Sequence, residues 1–186
     1  MIGWILLAVL GVLIGWIILI YTGLVTQRNE VQSSWKQIDG QLKRRHDLIP
    51  NLVSTVKGAR EFEQDTLEKV ISARAKAVSA GTPGSKAEAE GMLTQALGKL
   101  FAVMENYPAL KGNQNVMQLQ EELTSTENRI SFARQLYNDL VANYRTRIQV
   151  FPNSLVSSLF NFRSVEYFEA EEAARATPAV KLSLRK

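Results

Sequence analysis

One long apolar stretch near the N-terminus constrains the fold most strongly. From Ile2 to Leu24 almost every side chain is apolar or small, and the first charged residue is Arg28. As a helix this stretch rises roughly 30 Å, which matches the hydrocarbon thickness of a bilayer. A cleaved signal peptide is the alternative, but its apolar region is shorter, follows a basic start and ends at a small-residue cleavage site. The sequence therefore favours a membrane anchor.

The positive charges around this stretch predict its orientation. No basic residue precedes it, whereas Arg28, Lys36 and the run Lys43-Arg44-Arg45 follow it. Basic flanks of a membrane span tend to stay in the cytoplasm. We therefore expect a single span with its N-terminus outside and the rest of the chain in the cytoplasm.

Small residues share one face of the predicted span. Gly11 and Gly15 form a G-x-x-x-G pattern, and small side chains on one face let two helix backbones approach each other. Glycine is also common in membrane helices that have no such partner, so self-association through this face is left open. The candidate packing residues are Ala8, Gly11, Gly15 and Thr22.

Composition narrows the possible classes of protein. The chain has 186 residues and no cysteine, so we expect one domain after the anchor, without disulfides or thiolate chemistry. The net charge of +4 is modest and gives little support to a nucleic-acid partner. A basic strip beside a bilayer more simply meets anionic lipid headgroups. The candidates for contact with lipid or with a partner are Lys43, Arg44 and Arg45.

Helical periodicity continues beyond the apolar stretch. Apolar residues separated by three or four positions mark one face of a helix, and they predict that the anchor helix continues out of the membrane. We therefore expect the anchor to be stiffly coupled to the first helix of the remaining chain. The residues that carry this pattern are Val31, Trp35, Ile38 and Leu42.

Pro50 predicts where this helix ends. A proline deep in a helix costs about 3 kcal/mol, whereas in a first turn its missing N–H would have had no partner. We therefore interpret Asp47 as the N-cap of a second helix that runs from about Leu48 to Ala80. The apolar phase nevertheless carries through this point, so a kinked continuous helix is the alternative.

Two further helices complete the prediction. A third follows the turn signal at 81–85 and ends near Tyr107, because Pro108 disfavours helical backbone before it. A fourth has apolar residues at alternating spacings of three and four, which is typical of nearly aligned helices. No strand pattern appears, so we predict an all-α fold in which the N-terminal transmembrane helix continues into an antiparallel up-and-down bundle of long helices. The stripe of the fourth helix comprises Val116, Leu119, Leu123, Thr126, Ile130, Ala133, Tyr137, Leu140 and Tyr144.

The expected organisation has three parts. Residues 1–27 form the anchor, residues 28–151 the bundle, and residues 152–186 an apolar segment followed by a loose tail from Ala176 onward. The crowded apolar residues of the last part must cover something. Packing on the bundle is the favoured interpretation, with the membrane interface or a neighbouring subunit as alternatives. Candidate oligomer contacts in this segment are Phe160, Phe162 and Phe168.

The sequence offers little for catalysis. His46 is the only histidine, so neither an H-E-x-x-H zinc site nor a di-metal centre with two Glu-x-x-His pairs can form. No glycine-rich phosphate loop and no G-x-S-x-G motif is present. We therefore predict no catalytic residues, no metal site and no cofactor, in a protein that is not an enzyme.

Two kinds of residue stand out on the fourth helix. Glu127 and Arg134 flank the apolar stripe, where charge pairs usually fix the register between helices. Phe132 falls on the opposite face, beside Asn128 and Asp139. An exposed aromatic side chain implies a contact not yet accounted for, so Phe132 is a further candidate oligomer contact.

Motifs spread from Tyr21 to Phe168 point to a known family. They include Gln41-Leu42-Lys43-Arg44-Arg45, Asp47-Leu48-Ile49-Pro50-Asn51-Leu52-Val53, Leu119-Gln120-Glu121-Glu122-Leu123, Thr126-Glu127-Asn128, Phe132-Ala133-Arg134 and Phe151-Pro152. On these residues the chain resembles the LemA family, and the stretch from Asp47 to Val53 is the most specific of them. Departures are small: Gly40 stands where the family usually has an aliphatic residue, and Thr22 and Arg145 where it commonly has asparagine.

The resemblance implies a bacterial inner-membrane protein with one N-terminal span, a cytoplasmic helical bundle and no agreed catalytic site. One relative is linked to forming membrane compartments, and other members are often encoded beside an HtpX-type membrane protease. We therefore expect a scaffold that forms a homo-oligomer and organises or remodels the inner membrane. An adaptor for an HtpX-type protease or another membrane partner is the alternative.

Overall fold

Helices make up the regular structure of residues 1–58 and 62–169, the part of the chain that the computed structural model describes. No strand occurs in these ranges, which confirms the predicted all-α fold. The helices are α1 (Ile2–Lys57), α2 (Gln64–Ser79), α3 (Pro83–Met104), α4 (Pro108–Lys111), α5 (Gln114–Gln149) and α6 (Asn153–Leu159). One compact unit contains residues 1–55 and 114–167, and a second contains the described residues of 56–113 together with Phe168 and Glu169. The predicted loose tail from Ala176 lies outside the described residues.

The first helix, α1, is unbroken over 56 residues. Up to Leu19 its apolar side chains are exposed on every side, and the earliest buried residue is Leu24. Within the described ranges, α1 is the one helix that is long and apolar enough to cross a membrane, and no residue of its most apolar window is buried. A core helix of a water-soluble domain would bury at least one face, so this exposure is typical of a membrane segment.

The prediction of a second helix from about Leu48 to Ala80, with Asp47 as its N-cap, is wrong: α1 ends at Lys57 and α2 begins at Gln64. The first helix runs on past Pro50, so Asp47 lies inside α1 instead of capping a helix, and no helix begins at Leu48. The physical reason is the burial of one apolar face on both sides of the proline, which offsets the roughly 3 kcal/mol that an internal proline costs. The fully buried residues of this face are Leu42, Ile49, Leu52 and Val56.

Within the first unit, α5 packs antiparallel to α1. Three contacts show the direction, because residue numbers rise along α1 as they fall along α5. These contacts join Gly23 to Arg147, the Trp35 ring to the Tyr137 ring at a centroid distance of 5.4 Å, and Arg45 to Glu127. The antiparallel arrangement predicted from the sequence therefore holds for these two helices.

The apolar stripe predicted for α5 largely coincides with its buried face. Tyr137 and Tyr144 are its largest fully buried side chains, and Val141 is buried where the pattern placed the half-buried Leu140. The buried residues of α5 are Val116, Leu123, Thr126, Ile130, Tyr137, Val141, Tyr144 and Ile148.

In the second unit, α2 and α3 pack against each other. The turn between them is tight because α3 begins with a capping box. The Thr82 hydroxyl accepts the Ser85 N–H at 3.2 Å, and the Ser85 hydroxyl oxygen accepts the Thr82 N–H at 3.1 Å. Pro83 takes the first helical position, where no N–H is needed. The third helix therefore begins inside the predicted turn and ends at Met104, a little before the predicted end.

Tyr137 connects the chain after α6 to the bundle. Its ring is fully buried, and its hydroxyl donates to the backbone carbonyl oxygen of Glu166 at 2.8 Å. Burial, followed by the nearby Glu166 carboxylate, raises the pKa of Tyr137 from 10.0 to about 12. The folded protein therefore favours the protonated phenol.

Stability at alkaline pH should depend on Tyr137. Its folded-state pKa lies above the unfolded value, so its contribution is complete below pH 10.0 and is lost as the pH rises through about 12. We expect the free energy of unfolding of the detergent-solubilised protein, measured by urea titration with circular dichroism, to fall more steeply in this window for the wild type than for Tyr137→Phe. At neutral pH the variant should be about 1 kcal/mol less stable, because the Glu166 carbonyl loses its donor. Identical pH slopes would contradict the assignment.

Candidate functional site

The candidate functional sites of this chain are surfaces. Among the described residues, no group of three or more His, Cys, Asp or Glu side chains is placed to hold a metal ion. The one histidine, His46, lies within α1 and is buried. Four surfaces are candidates: the small-residue face of the span, a groove between α1 and α5, the basic run of α1, and the segment after α5.

A groove lies between α1 and α5, and we refer to it as the Phe132 groove. The Phe132 side chain is 76 % exposed, and Leu136, one turn later on α5, is also exposed. On the α1 side, a Cβ atom added at Gly40 would meet nothing within 4 Å, so this glycine leaves space in the groove. The groove has a volume of about 480 Å³ and is lined by Lys36, Gln37, Gly40, Gln41, Arg129, Phe132, Ala133 and Leu136.

The charges of the Phe132 groove are positive. Lys36 lines it from α1 and Arg129 from α5, and its lining among the described residues includes no carboxylate. Apolar side chains beside cationic edges are complementary to a surface that pairs apolar and acidic residues. The groove therefore has the chemistry of a protein-binding surface.

The basic run of α1 divides into buried and exposed residues. Arg45 is buried, with its guanidinium 2.9 Å from the Glu127 carboxylate. Lys43 and Arg44 are exposed. The unbroken α1 helix places this run roughly 33 Å beyond Tyr21 along the axis. Contact with lipid headgroups or with a partner stays a prediction for Lys43 and Arg44.

The four phenylalanines predicted as oligomer contacts fall into two pairs. Phe132 and Phe160 are exposed, whereas Phe162 and Phe168 are buried within the chain. The Phe162 ring lies 5.7 Å from the Tyr21 ring and so belongs to the core at the end of the span. An oligomer contact therefore stays a prediction for the exposed pair.

The small-residue face of the span is open. A Cβ atom at Gly11 or Gly15 would meet nothing within 4 Å, and Ala8 is exposed. Thr22 lies on the same face, and its hydroxyl is within 3.0 Å of the carbonyl oxygens one turn earlier in its own helix. A second helix could therefore pack closely against the two glycines, because no side chain of this chain occupies the space beside them.

A short helix turns the chain back at the end of α5. The Ser157 hydroxyl donates to the carbonyl oxygen of Ile148 at 2.7 Å, which fastens α6 to the end of α5. Asn161 then adopts φ 55°, and the N–H of Phe162 donates to the Ser157 carbonyl at 2.9 Å. This is a Schellman motif, and asparagine accepts its left-handed position at low cost. Sequence reasoning missed the reversal, although Asn161 after an apolar run was the available signal.

Comparison with known proteins identifies the family. The sequence profile of the LemA family matches residues 34–182. The chain belongs to the LemA family. This LemA protein is 26 % identical over 167 residues to Protein LemA of Metamycoplasma hominis, a match that covers 87 % of the chain and 76 % of the relative. It is 24 % identical over 186 residues to magnetosome protein MamQ of Magnetospirillum gryphiswaldense, with 86 % and 68 % covered.

Two further relatives are the magnetosome proteins MamQ 1 and MamQ 2 of Paramagnetospirillum magneticum, each 24 % identical over 186 residues. None of these names denotes an enzymatic activity. Together with the exposed apolar part of α1, membership of the LemA family indicates a membrane-associated protein.

The Arg45–Glu127 pair should contribute more to the stability of this LemA protein than the neighbouring pair of Arg44 and Glu122. Glu127→Ala leaves the buried Arg45 without this carboxylate, so we expect a loss of about 2 kcal/mol in the free energy of unfolding. The control Glu122→Ala breaks an exposed contact of 3.8 Å and should change stability by less than about 0.5 kcal/mol. Urea titrations of both variants in detergent measure the difference, and equal losses would contradict the prediction.

Proposed function

We propose that this LemA protein is a non-enzymatic scaffold of the bacterial inner membrane, anchored by one span, which self-associates and organises or remodels the bilayer. The observation that carries the proposal is the continuity of α1. One helix provides both the exposed apolar segment and one side of the helical core. Because no loop separates the two parts, an orientation imposed on the core is transmitted to the span.

The charges near the span support the orientation in this proposal. Arg28 and Lys36 follow the apolar segment, and no charged side chain precedes Arg28. Positive residues close to a span are retained in the cytoplasm. In the proposed orientation the N-terminus is outside and the core of α1 and α5 is cytoplasmic.

Two surfaces on the α1–α5 unit support self-association. The small-residue face of the span offers close backbone approach, and the Phe132 groove offers an exposed aromatic side chain of the kind that is enriched in protein interfaces. Measured along α1, Gly15 and Gly40 are about 37 Å apart. Two contacts so far apart on one rigid helix would fix the tilt between neighbouring copies, and a fixed tilt between many membrane-anchored copies imposes a membrane curvature.

Self-association should depend on Phe132. We expect the full-length protein to form a defined oligomer across a wide concentration range in detergent, measured by light scattering after size exclusion. Phe132→Asp should weaken assembly by about tenfold, because it places a charge where an aromatic contact is proposed. The matched control is Met117→Asp, at another exposed apolar position of α5, which should assemble like the wild type.

A monomer at every concentration would contradict self-association, and normal assembly of Phe132→Asp with unchanged helicity would exclude the Phe132 groove as its site. The same variants in vesicles test the membrane part of the proposal. Vesicles containing wild type or Met117→Asp should show altered size or shape in cryo-electron microscopy, whereas those containing Phe132→Asp should not. If the wild-type protein assembles fully but the vesicles keep their size and shape, remodelling would be excluded and only the scaffold role would stand.

The positive edges of the Phe132 groove favour a second candidate function, an adaptor for another membrane protein such as an HtpX-type protease. If two copies met through the same groove, Lys36 and Arg129 of each would approach cations, whereas an acidic segment of a different protein would meet opposite charge. Photo-crosslinking from position 132 in native membranes separates the two functions. We expect adducts between copies for the scaffold, and adducts with a different protein that weaken at high salt for the adaptor.

A further inference from the structure

The outward face of α6 carries large apolar side chains that the described part of the chain leaves uncovered. Phe151, Leu155 and Leu159 follow one another at a spacing of four residues and are 73 %, 63 % and 74 % exposed. The opposite face is already used, because Val156 and Ser157 are buried. Large apolar side chains that stay exposed beside a buried face indicate a further contact, with lipid or with protein.

This face lies at the level where α1 leaves the apolar segment. The Phe160 ring is 4.8 Å from the Tyr21 ring. The end of α5 lies at the same level, as the contact between Arg147 and Gly23 shows. Ile18 and Leu19 of α1, just before this level, are exposed and apolar. The C-terminal end of α6 therefore lies beside the end of the apolar segment, where aromatic side chains of membrane proteins mark the interface.

Two described stretches of chain at this end of the molecule carry positive charges only. The chain has no aspartate or glutamate before Glu30 and none between Asp139 and Glu166. Arginines in the same stretches surround α6: the Arg28 guanidinium lies 5.3 Å from the centre of the Phe162 ring, and Arg163 is exposed directly after the Schellman motif. Cations around an apolar face are complementary to anionic lipid headgroups.

We propose that α6 and Phe151 form a second membrane contact, which lies in the interface with Leu155 and Leu159 directed into lipid. Lipid is a better occupant than a second copy for two reasons. The end of α6 lies beside the apolar segment of α1, and a second copy would bring further arginines against arginines, with no carboxylate in the described stretches 1–29 and 140–165. With the span alone, the core could tilt in any direction; a second contact on one side of α1 defines which side faces the membrane.

The test uses the full-length protein in vesicles that contain anionic phosphatidylglycerol. The chain has no cysteine, so a nitroxide label can be attached at one introduced cysteine at a time. Leu155→Cys and Leu159→Cys report on α6, Leu19→Cys is the control inside the span, and Gln120→Cys is the control on α5 about 44 Å from its membrane-proximal end. The inference rests on the membrane anchoring proposed above, and the Leu19→Cys label tests that anchoring separately.

We expect the ratio of oxygen to nickel-complex collision rates to be about fivefold higher at 155 and 159 than at 120, since oxygen concentrates in lipid and the nickel complex in water. A ratio at 155 and 159 equal to that at 120, with a high ratio at 19, would overturn the proposal while leaving the anchor intact. Dipolar broadening that disappears on dilution with unlabelled protein would assign the face to a second copy. Low collision rates with both reagents would mean that protein covers this face. The dipolar broadening and the low collision rates would each overturn the proposal.

Discussion

A single helix that changes from apolar on every face to apolar on one covered face is the constraint on which this structure depends. Lipid accepts apolar side chains on every face of a helix, whereas water requires that only one face be apolar and that this face be covered. In α1 the change occurs between Leu19, the last residue of the fully exposed apolar run, and Leu24, the first buried residue. From Leu24 onward α1 needs a partner, and α5 provides it.

The end of the bundle follows from that pairing. Because α5 runs antiparallel to α1 and ends beside Gly23, the chain reverses at the level where the apolar segment of α1 ends. The reversal uses the Schellman motif at Asn161, which directs Phe162 inward against Tyr21. Local backbone chemistry thus determines which apolar residues of the segment after α5 join the core and which stay outside it.

Periodicity predicted α1 and α5 well, because their apolar residues at spacings of three and four report directly on burial against a long partner. Local signals were less reliable. Pro50 was assigned to a helix start from its local cost alone, while the burial of Ile49 and Leu52 depends on distant residues. The run of three basic residues was likewise treated as one surface, although Arg45 falls on the apolar stripe between Leu42 and Ile49 and is buried. Helical phase turns adjacent residues by about 100°, which leaves Arg44 exposed; the pairing of Arg45 with Glu127 depends on the fold.

The candidate surfaces were partly visible in the sequence. Phe132 falls outside the apolar stripe and is exposed, as its position indicates. The space at Gly40 completes the Phe132 groove only because of the residues that α5 places opposite α1. A single sequence does not reveal which residues of two helices face each other. The same holds for Phe162 and Phe168, whose burial depends on how the chain folds back.

The continuity of α1 also has a geometric consequence for the evolution of such proteins. Each residue of an α-helix advances the axis by 1.5 Å and turns it by about 100°. One residue inserted between Leu24 and Val31 would therefore rotate Gly11 and Gly15 by more than a quarter turn relative to the Phe132 groove. The number of residues before the bundle therefore sets the direction in which the small-residue face of the span points. Insertions or deletions in this stretch should be tolerated only when they restore the phase of the helix.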